Sequence, residues 1–164
     1  MILRYQRLAQ RIRDELPDIT SEVARAQKSW EASLETDDPE AFIDSVALNL
    51  HGFYSGVERL FELISTQVDD SAPTGEAWHR QLIDQMAREI PETRPAVIDE
   101  FIAVALDEFR KFRHLVRNVY TIHLDSERMR VLIDVLPSLW EQVQKDLLTF
   151  ADFLTEIDKA DEKE

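Results

Sequence analysis

The amino-acid sequence predicts an all-α fold, an up-and-down bundle of four long helices plus one short helix. Three observations support this. Apolar residues recur at helical spacing over two long stretches, strand-like alternation never persists, and only 3 Gly and 6 Pro are present to form turns. The 164 residues suffice for one hydrophobic core, so a single domain over 1–164 is expected.

The first two helices are predicted at about 3–34 and 39–68. Pro17 should kink the first helix or split it in two, because proline removes a helical hydrogen bond. Asp37 or Asp38 in the turn between them is expected to cap the second helix.

The second helix carries a regular apolar pattern that predicts a buried seam. Its members are three or four residues apart: Val46, Leu50, Phe53, Val57, Leu60 and Ile64. Gly52 and Gly56 lie beside this seam. Since a glycine costs about 1 kcal/mol in a helix interior, the two predict the close approach of another backbone, such as that of a second subunit.

The remaining helices are predicted at about 76–90, 95–121 and from Ser126 onward. Pro137 should kink the last helix near its middle, and the charged end of the chain from about 158 should fray.

The composition of the chain excludes or disfavours several kinds of binding site and partner. The absence of Cys excludes disulfides and thiolate metal sites. A net charge of -14 disfavours general binding to nucleic acid or anionic membranes. No apolar run approaches the roughly 18 residues of a membrane span, and early charges argue against a signal peptide, so a cytoplasmic location is expected. No cofactor and no metal is expected.

The predicted fourth helix contains a cationic segment, 109–120, with four Lys or Arg and one His in an otherwise acidic protein. Its predicted apolar arc comprises Phe101, Ala105, Phe109, Phe112, Leu115, Val116 and Val119. The polar side comprises Arg110, Arg113, Arg117, Tyr120 and Thr121, with His114 and Asn118 next to them. Arginine binds phosphate bidentately and histidine moves protons near neutral pH, so this face suits phosphate chemistry. The alternative is a solvated face that pairs with acidic neighbours such as Glu108.

The segment 113–120 resembles the signature of HepT-like proteins in the HEPN superfamily. That signature is Arg, four residues, His, one residue and Tyr, with a polar residue usually after the Arg. Arg113, His114 and Tyr120 fit it. The helix-two segments 44–51 and 56–64 support the resemblance.

The resemblance implies a homodimeric ribonuclease toxin that needs no metal, paired with an MntA-like nucleotidyltransferase antitoxin that attaches AMP to the signature tyrosine. Arg113 would then stabilise the phosphate, position 118 would be the acid or base, and Tyr120 would be the modified residue. Arg110 and Arg117 would bind substrate, and RNA would be bound through this local basic face.

Position 118 departs from the signature, because Asn118 cannot act as a general base near pH 7. Weakened or lost cleavage is therefore one expectation, with His114 as a substitute proton carrier. An alternative register uses Arg117 and His123 but loses the tyrosine. The alternative function is a non-catalytic helical module that binds a nucleotide, RNA or a protein.

One further pattern is weak. Glu76 and His79 have the Glu-x-x-His spacing of di-iron bundles, but no second such pair exists in the sequence. We therefore interpret Glu76 as a first-turn helix charge rather than a metal ligand.

Overall fold

The computed structural model describes residues 4–118 and 126–163, and in these ranges it is an all-α bundle without strands. The elements in chain order are α1 (Arg4–Leu34), α2 (Glu40–Gln67), α3 (Trp78–Met86), α4 (Glu100–Asn118) and α5 (Ser126–Glu162). The predicted fold class, four long helices plus a short one, is confirmed.

The core lies where α1 packs against both α2 and α5, with α4 on the other side of α2. All six residues of the predicted seam are buried, from Val46 to Ile64. On α5, the matching stripe from Met129 to Leu154 is buried as well. The predicted seams are therefore confirmed, and they account for the antiparallel arrangement of the long helices.

Helix α1 is continuous through Pro17, so the predicted split is wrong. Buried residues lie on both sides of the proline, among them Ile12, Leu16 and Ile19. Their packing holds the two halves together, because the buried apolar face outweighs the loss of one backbone hydrogen bond.

The predicted cap of α2 is also wrong. Pro39 is the N-cap residue, with φ -80 and ψ -8, and no side chain caps this end. Asp38 lies one residue too early, and its own backbone N–H donates to Thr36 Oγ1 at 3.3 Å.

Gly52 and Gly56 face α1 of the same chain, so the predicted close approach of another backbone is confirmed within the chain, and the approach of a second subunit stays a prediction. A Cβ on Gly52 would lie 2.8 Å from the Glu22 carboxylate, and one on Gly56 would lie 2.9 Å from Ile19 Cγ1. The two glycines therefore allow α1 and α2 to pack closely.

Helix α4 begins at Glu100, later than predicted, because Asp99 Oδ1 accepts the backbone N–H of Ile102 at 2.8 Å. The buried stripe on α4 consists of Ile102, Ala103, Leu106, Phe109 and Phe112. Phe101 is 88% exposed, so its place in the predicted apolar arc is wrong. The edge of the buried face falls between Phe101 and Ile102.

A buried ion pair fixes α3 and the segments on both sides of it. The Arg94 and Asp69 side chains are both fully buried and meet in two bonds, Nε to Oδ1 at 2.6 Å and Nη2 to Oδ2 at 2.8 Å. Arg94 also donates to the carbonyls of Gln85, Arg88 and Pro95. The pair therefore joins the end of α2, the end of α3 and the approach to α4.

Helix α5 continues to Glu162, past the point where the sequence predicts a charged tail. Asp158 in this stretch is buried, and its Oδ2 accepts the backbone N–H of Gln6 at 2.7 Å. The fraying of the last residues stays a prediction.

None of the helices in the described ranges is both long and apolar enough to cross a membrane.

Asp69→Ala should lower the free energy of unfolding by about 3–5 kcal/mol, because it leaves the Arg94 guanidinium buried without its counter-charge. Urea unfolding followed by circular dichroism measures this loss. Arg13→Ala is the control, since its pair with Asp152 is largely exposed and should contribute about 1 kcal/mol or less. Equal losses in the two variants would contradict the structural role given to the buried pair.

Candidate phosphate-binding cavity

A buried carboxylate organises the polar residues of the bundle. Glu58 lies on α2 and is only 3% exposed. Its Oε2 is 2.8 Å from His79 Nδ1 on α3, and its Oε1 is 3.6 Å from Arg113 Nη1 on α4. A buried charge is tolerated only when it is paired, so Glu58 requires cationic or donor groups from both helices.

Arg113 points toward α2 rather than into open solvent. Its side chain is 15% exposed, and its Nε donates to Ser55 Oγ at 3.0 Å. The polar side of α4 is therefore folded against its neighbours at this position. Arg113 pairs with an acidic neighbour, as the alternative interpretation expects, but it is largely withdrawn from solvent.

Arg110, one turn earlier, is held by an acid of its own helix. Its Nε lies 2.5 Å from Asp107 Oδ1, and both side chains are largely buried. Glu108 pairs with Lys111 at 3.2 Å, so its expected pairing with an arginine is wrong.

A cavity of about 390 Å³ opens between the start of α3 and α4. Six ionisable side chains line it: Glu76, His79, Arg80, Arg110, Arg113 and His114. Three are arginines and two are histidines, in a chain with a net charge of -14. This is a local concentration of hydrogen-bond donors that suits an anion such as phosphate.

Arg80 is the most accessible of the three arginines in the cavity. It is exposed, and it forms no ion pair with any residue in the described ranges, whereas Arg110 and Arg113 each have an acidic neighbour. An anion that enters the cavity would therefore meet Arg80 without displacing a carboxylate.

The Glu58 carboxylate changes the pKa of two further side chains, Tyr54 and Glu62. Burial, reinforced by the Glu58 charge, raises the pKa of the Tyr54 hydroxyl well above its usual value. That hydroxyl is buried and makes no hydrogen bond with a described residue. Burial and the same carboxylate also raise the pKa of Glu62, against the opposing effect of His79 and Arg113.

The structure brings Arg110, Arg113 and His114 of the predicted site to one cavity. The side chains of Arg117 and Asn118, at the end of α4, lie outside the described residues. Tyr120 and His123, the second of which belongs to the alternative register, lie wholly outside them.

The sequence pattern does not assign His79 or Arg80 to the site, and for Glu58 it indicates only a helix charge that could face the signature segment. Glu58 could have been found, because helical spacing places it with the apolar Tyr54 and Phe61, where an acid is unexpected. His79 was noticed only in the Glu-x-x-His spacing. Both Glu76 and His79 line the cavity, but the described residues contain no group of three His, Asp or Glu that could hold a metal.

A family model described as HepT-like protein matches residues 45–154. The chain belongs to the HepT-like family. The match contains all the cavity residues, and it confirms the resemblance seen in the signature of α4 and the placement in the HEPN superfamily. Neither the curated proteins nor the solved structures include a match to this chain.

The wild-type protein should lose stability at alkaline pH, and the Tyr54→Phe variant should lack the part of this loss that Tyr54 causes. The folded state keeps the Tyr54 hydroxyl protonated above pH 10, whereas the unfolded chain releases that proton near pH 10, so rising pH favours unfolding. Through this residue, the free energy of unfolding of the wild type should fall by at most about 1.4 kcal/mol per pH unit. Urea unfolding between pH 8 and about pH 11 measures it, and Tyr5→Phe is the control. Parallel curves for wild type and Tyr54→Phe would disprove the effect.

Proposed function

We propose that this HepT-like chain is the ribonuclease toxin of a toxin–antitoxin pair and that its polar cavity binds a phosphate of RNA. The observation that carries the proposal is the convergence of three arginines and two histidines on one cavity in a strongly acidic chain. Since the overall field repels polyanions, RNA contacts must be short-range and local.

The arginines differ in the roles they suit. Arg80 and Arg110 are placed to bind a phosphate oxygen at the cavity wall. Arg113 carries the signature position, and its bond to Ser55 keeps its orientation fixed. A preoriented guanidinium stabilises charge that develops on phosphorus during cleavage, because it needs no rearrangement.

A non-catalytic binding module is the second candidate, and two observations favour it. Asn118 replaces the signature histidine and cannot take up a proton near neutral pH. Glu58 also partly neutralises Arg113. In this alternative the cavity holds a nucleotide, an RNA end or an acidic protein segment without cutting it.

The partner in the proposal is an MntA-like nucleotidyltransferase that neutralises the toxin by transferring AMP to Tyr120. The support is the family signature, in which Tyr120 occupies the tyrosine position two residues after Asn118. A Tyr120→Phe variant is the natural negative control for any AMP transfer detected by mass spectrometry.

Fluorescently labelled single-stranded RNA should bind with a shallow salt dependence, a slope of about -2 to -3 in log affinity against log salt, because only a few phosphates are contacted. Arg80→Ala should weaken binding about tenfold or more, since a charge-assisted bond is lost. Fluorescence anisotropy measures both. Arg25→Ala, on the exposed side of α1, is the matched control. No binding, or equal weakening by both variants, would disprove the assignment of the cavity.

The proposal includes a homodimer, because the family pairs the motifs of two chains across a two-fold axis. Light scattering should then give about twice the 19.1 kDa chain mass. A mass equal to one chain at high micromolar concentration would count against a composite site, and the RNA-binding result would have to be explained by a single cavity.

A further inference from the structure

We propose that His79, oriented by the buried Glu58, is the catalytic residue that removes the proton from an RNA 2′-hydroxyl in the polar cavity. The inference rests on the proposed ribonuclease function. It assigns the proton transfer to a pair of residues on α2 and α3 that lie outside the family signature on α4.

The geometry of the pair is that of an oriented base. His79 Nδ1 lies 2.8 Å from Glu58 Oε2. Because a carboxylate only accepts hydrogen bonds, Nδ1 carries the hydrogen, and in the neutral imidazole Nε2 then has the free lone pair. A base whose second nitrogen is held by a carboxylate is the arrangement that activates a hydroxyl nucleophile.

The surroundings hold the imidazole in place and leave it accessible. The Trp78 ring stacks on it, with centroids 3.6 Å apart and planes inclined by 29°. The His79 side chain remains 26% exposed and lines the cavity with Arg80 and Arg113. A reacting hydroxyl can therefore reach the ring while its phosphate contacts the arginines.

Glu58 is itself fixed from the other side. Arg113 Nη1 lies 3.6 Å from its Oε1, so one carboxylate connects the base on α3 with the signature arginine on α4. The charged or titratable groups around His79 come from three parts of the chain. They are Glu58 and Glu62 on α2, Glu76 and Arg80 at the start of α3, and Arg110, Arg113 and His114 on α4.

Asn118 is the reason that another base is required. An amide has no proton-accepting nitrogen near neutral pH, so the signature position cannot supply this step. His79 on α3 brings an imidazole to the polar cavity beside the signature arginine Arg113.

The step balances without a metal or a co-reactant other than water. His79 Nε2 takes the proton of the 2′-hydroxyl, the 2′-oxygen forms a bond to the adjacent phosphorus, and the bond from phosphorus to the 5′-oxygen breaks. The leaving oxygen takes a proton from water, and the resulting hydroxide takes the proton from His79. The products are a 2′,3′-cyclic phosphate and a 5′-hydroxyl.

The test uses the full chain and a labelled single-stranded RNA, with cleavage and binding measured in parallel. His79→Gln should lower the cleavage rate about 100-fold or more and leave binding within about threefold, because it removes a base and no phosphate contact. Gln142→Ala, an exposed change on α5, is the control and should cleave like wild type.

Glu58→Gln tests the positioning role of Glu58 through the separate values of kcat and KM. The value of kcat should fall about tenfold or more while KM stays within about twofold, because a neutral amide orients the imidazole less strictly and makes no contact with the phosphate. An unchanged kcat would overturn this role. Since a buried change can impair folding, the nitrogen NMR spectrum of wild-type His79 provides a second measurement. It should show a hydrogen on Nδ1, and the opposite tautomer would overturn the proposal.

The outcomes separate this inference from the proposed function. Cleavage by wild type that persists in His79→Gln would overturn the assignment of His79 and leave the ribonuclease function standing. RNA binding without cleavage by wild type would overturn the assignment and favour the binding module. The absence of both would overturn the inference and the proposed function together.

Discussion

The buried carboxylate of Glu58 is the constraint on which the polar half of this bundle depends. A charge that is 3% exposed cannot stay in an apolar seam unless donors from other helices reach it. His79 arrives from α3 and Arg113 from α4, so one residue ties both helices to α2. The pairing offsets the free-energy cost of burying the carboxylate. It also preorganises the site, because the two donors cannot move independently.

The position of α3 has a second determinant, which acts at the opposite end of that helix. Arg94 and Asp69 form a fully buried bidentate pair, and Arg94 also binds carbonyls of the α3 C-terminal end. A helix of nine residues is too short to be stable by itself. It is held by His79 at its first turn and by the Arg94 pair at its last. Between these polar contacts, the buried side chains of Leu82, Ile83 and Met86 pack α3 onto the core, so polar pairs at both ends and apolar packing together hold the cavity wall.

Much of the fold could be predicted from periodicity, and the main contacts of the site could not. Spacing identified the α2 seam from Val46 to Ile64 because burial repeats with the helix turn. The same method placed Phe101 on the wrong side, since it cannot locate the edge of a stripe to within one residue. The signature on α4 pointed to Arg113 and His114. It could not reveal Glu58 and His79, which are 21 residues apart and meet only through tertiary packing.

The bond between Asp158 and the backbone of Gln6 has a consequence for the order in which the chain is made. Helix α1 precedes α5 in the chain and has no acidic residue in its first turn, so this carboxylate near the end of α5 supplies negative charge there. Helix α1 packs against both α2 and α5. A nascent chain that has not yet reached α5 would therefore leave the α5-facing side of α1 open to aggregation, even after α2 has packed.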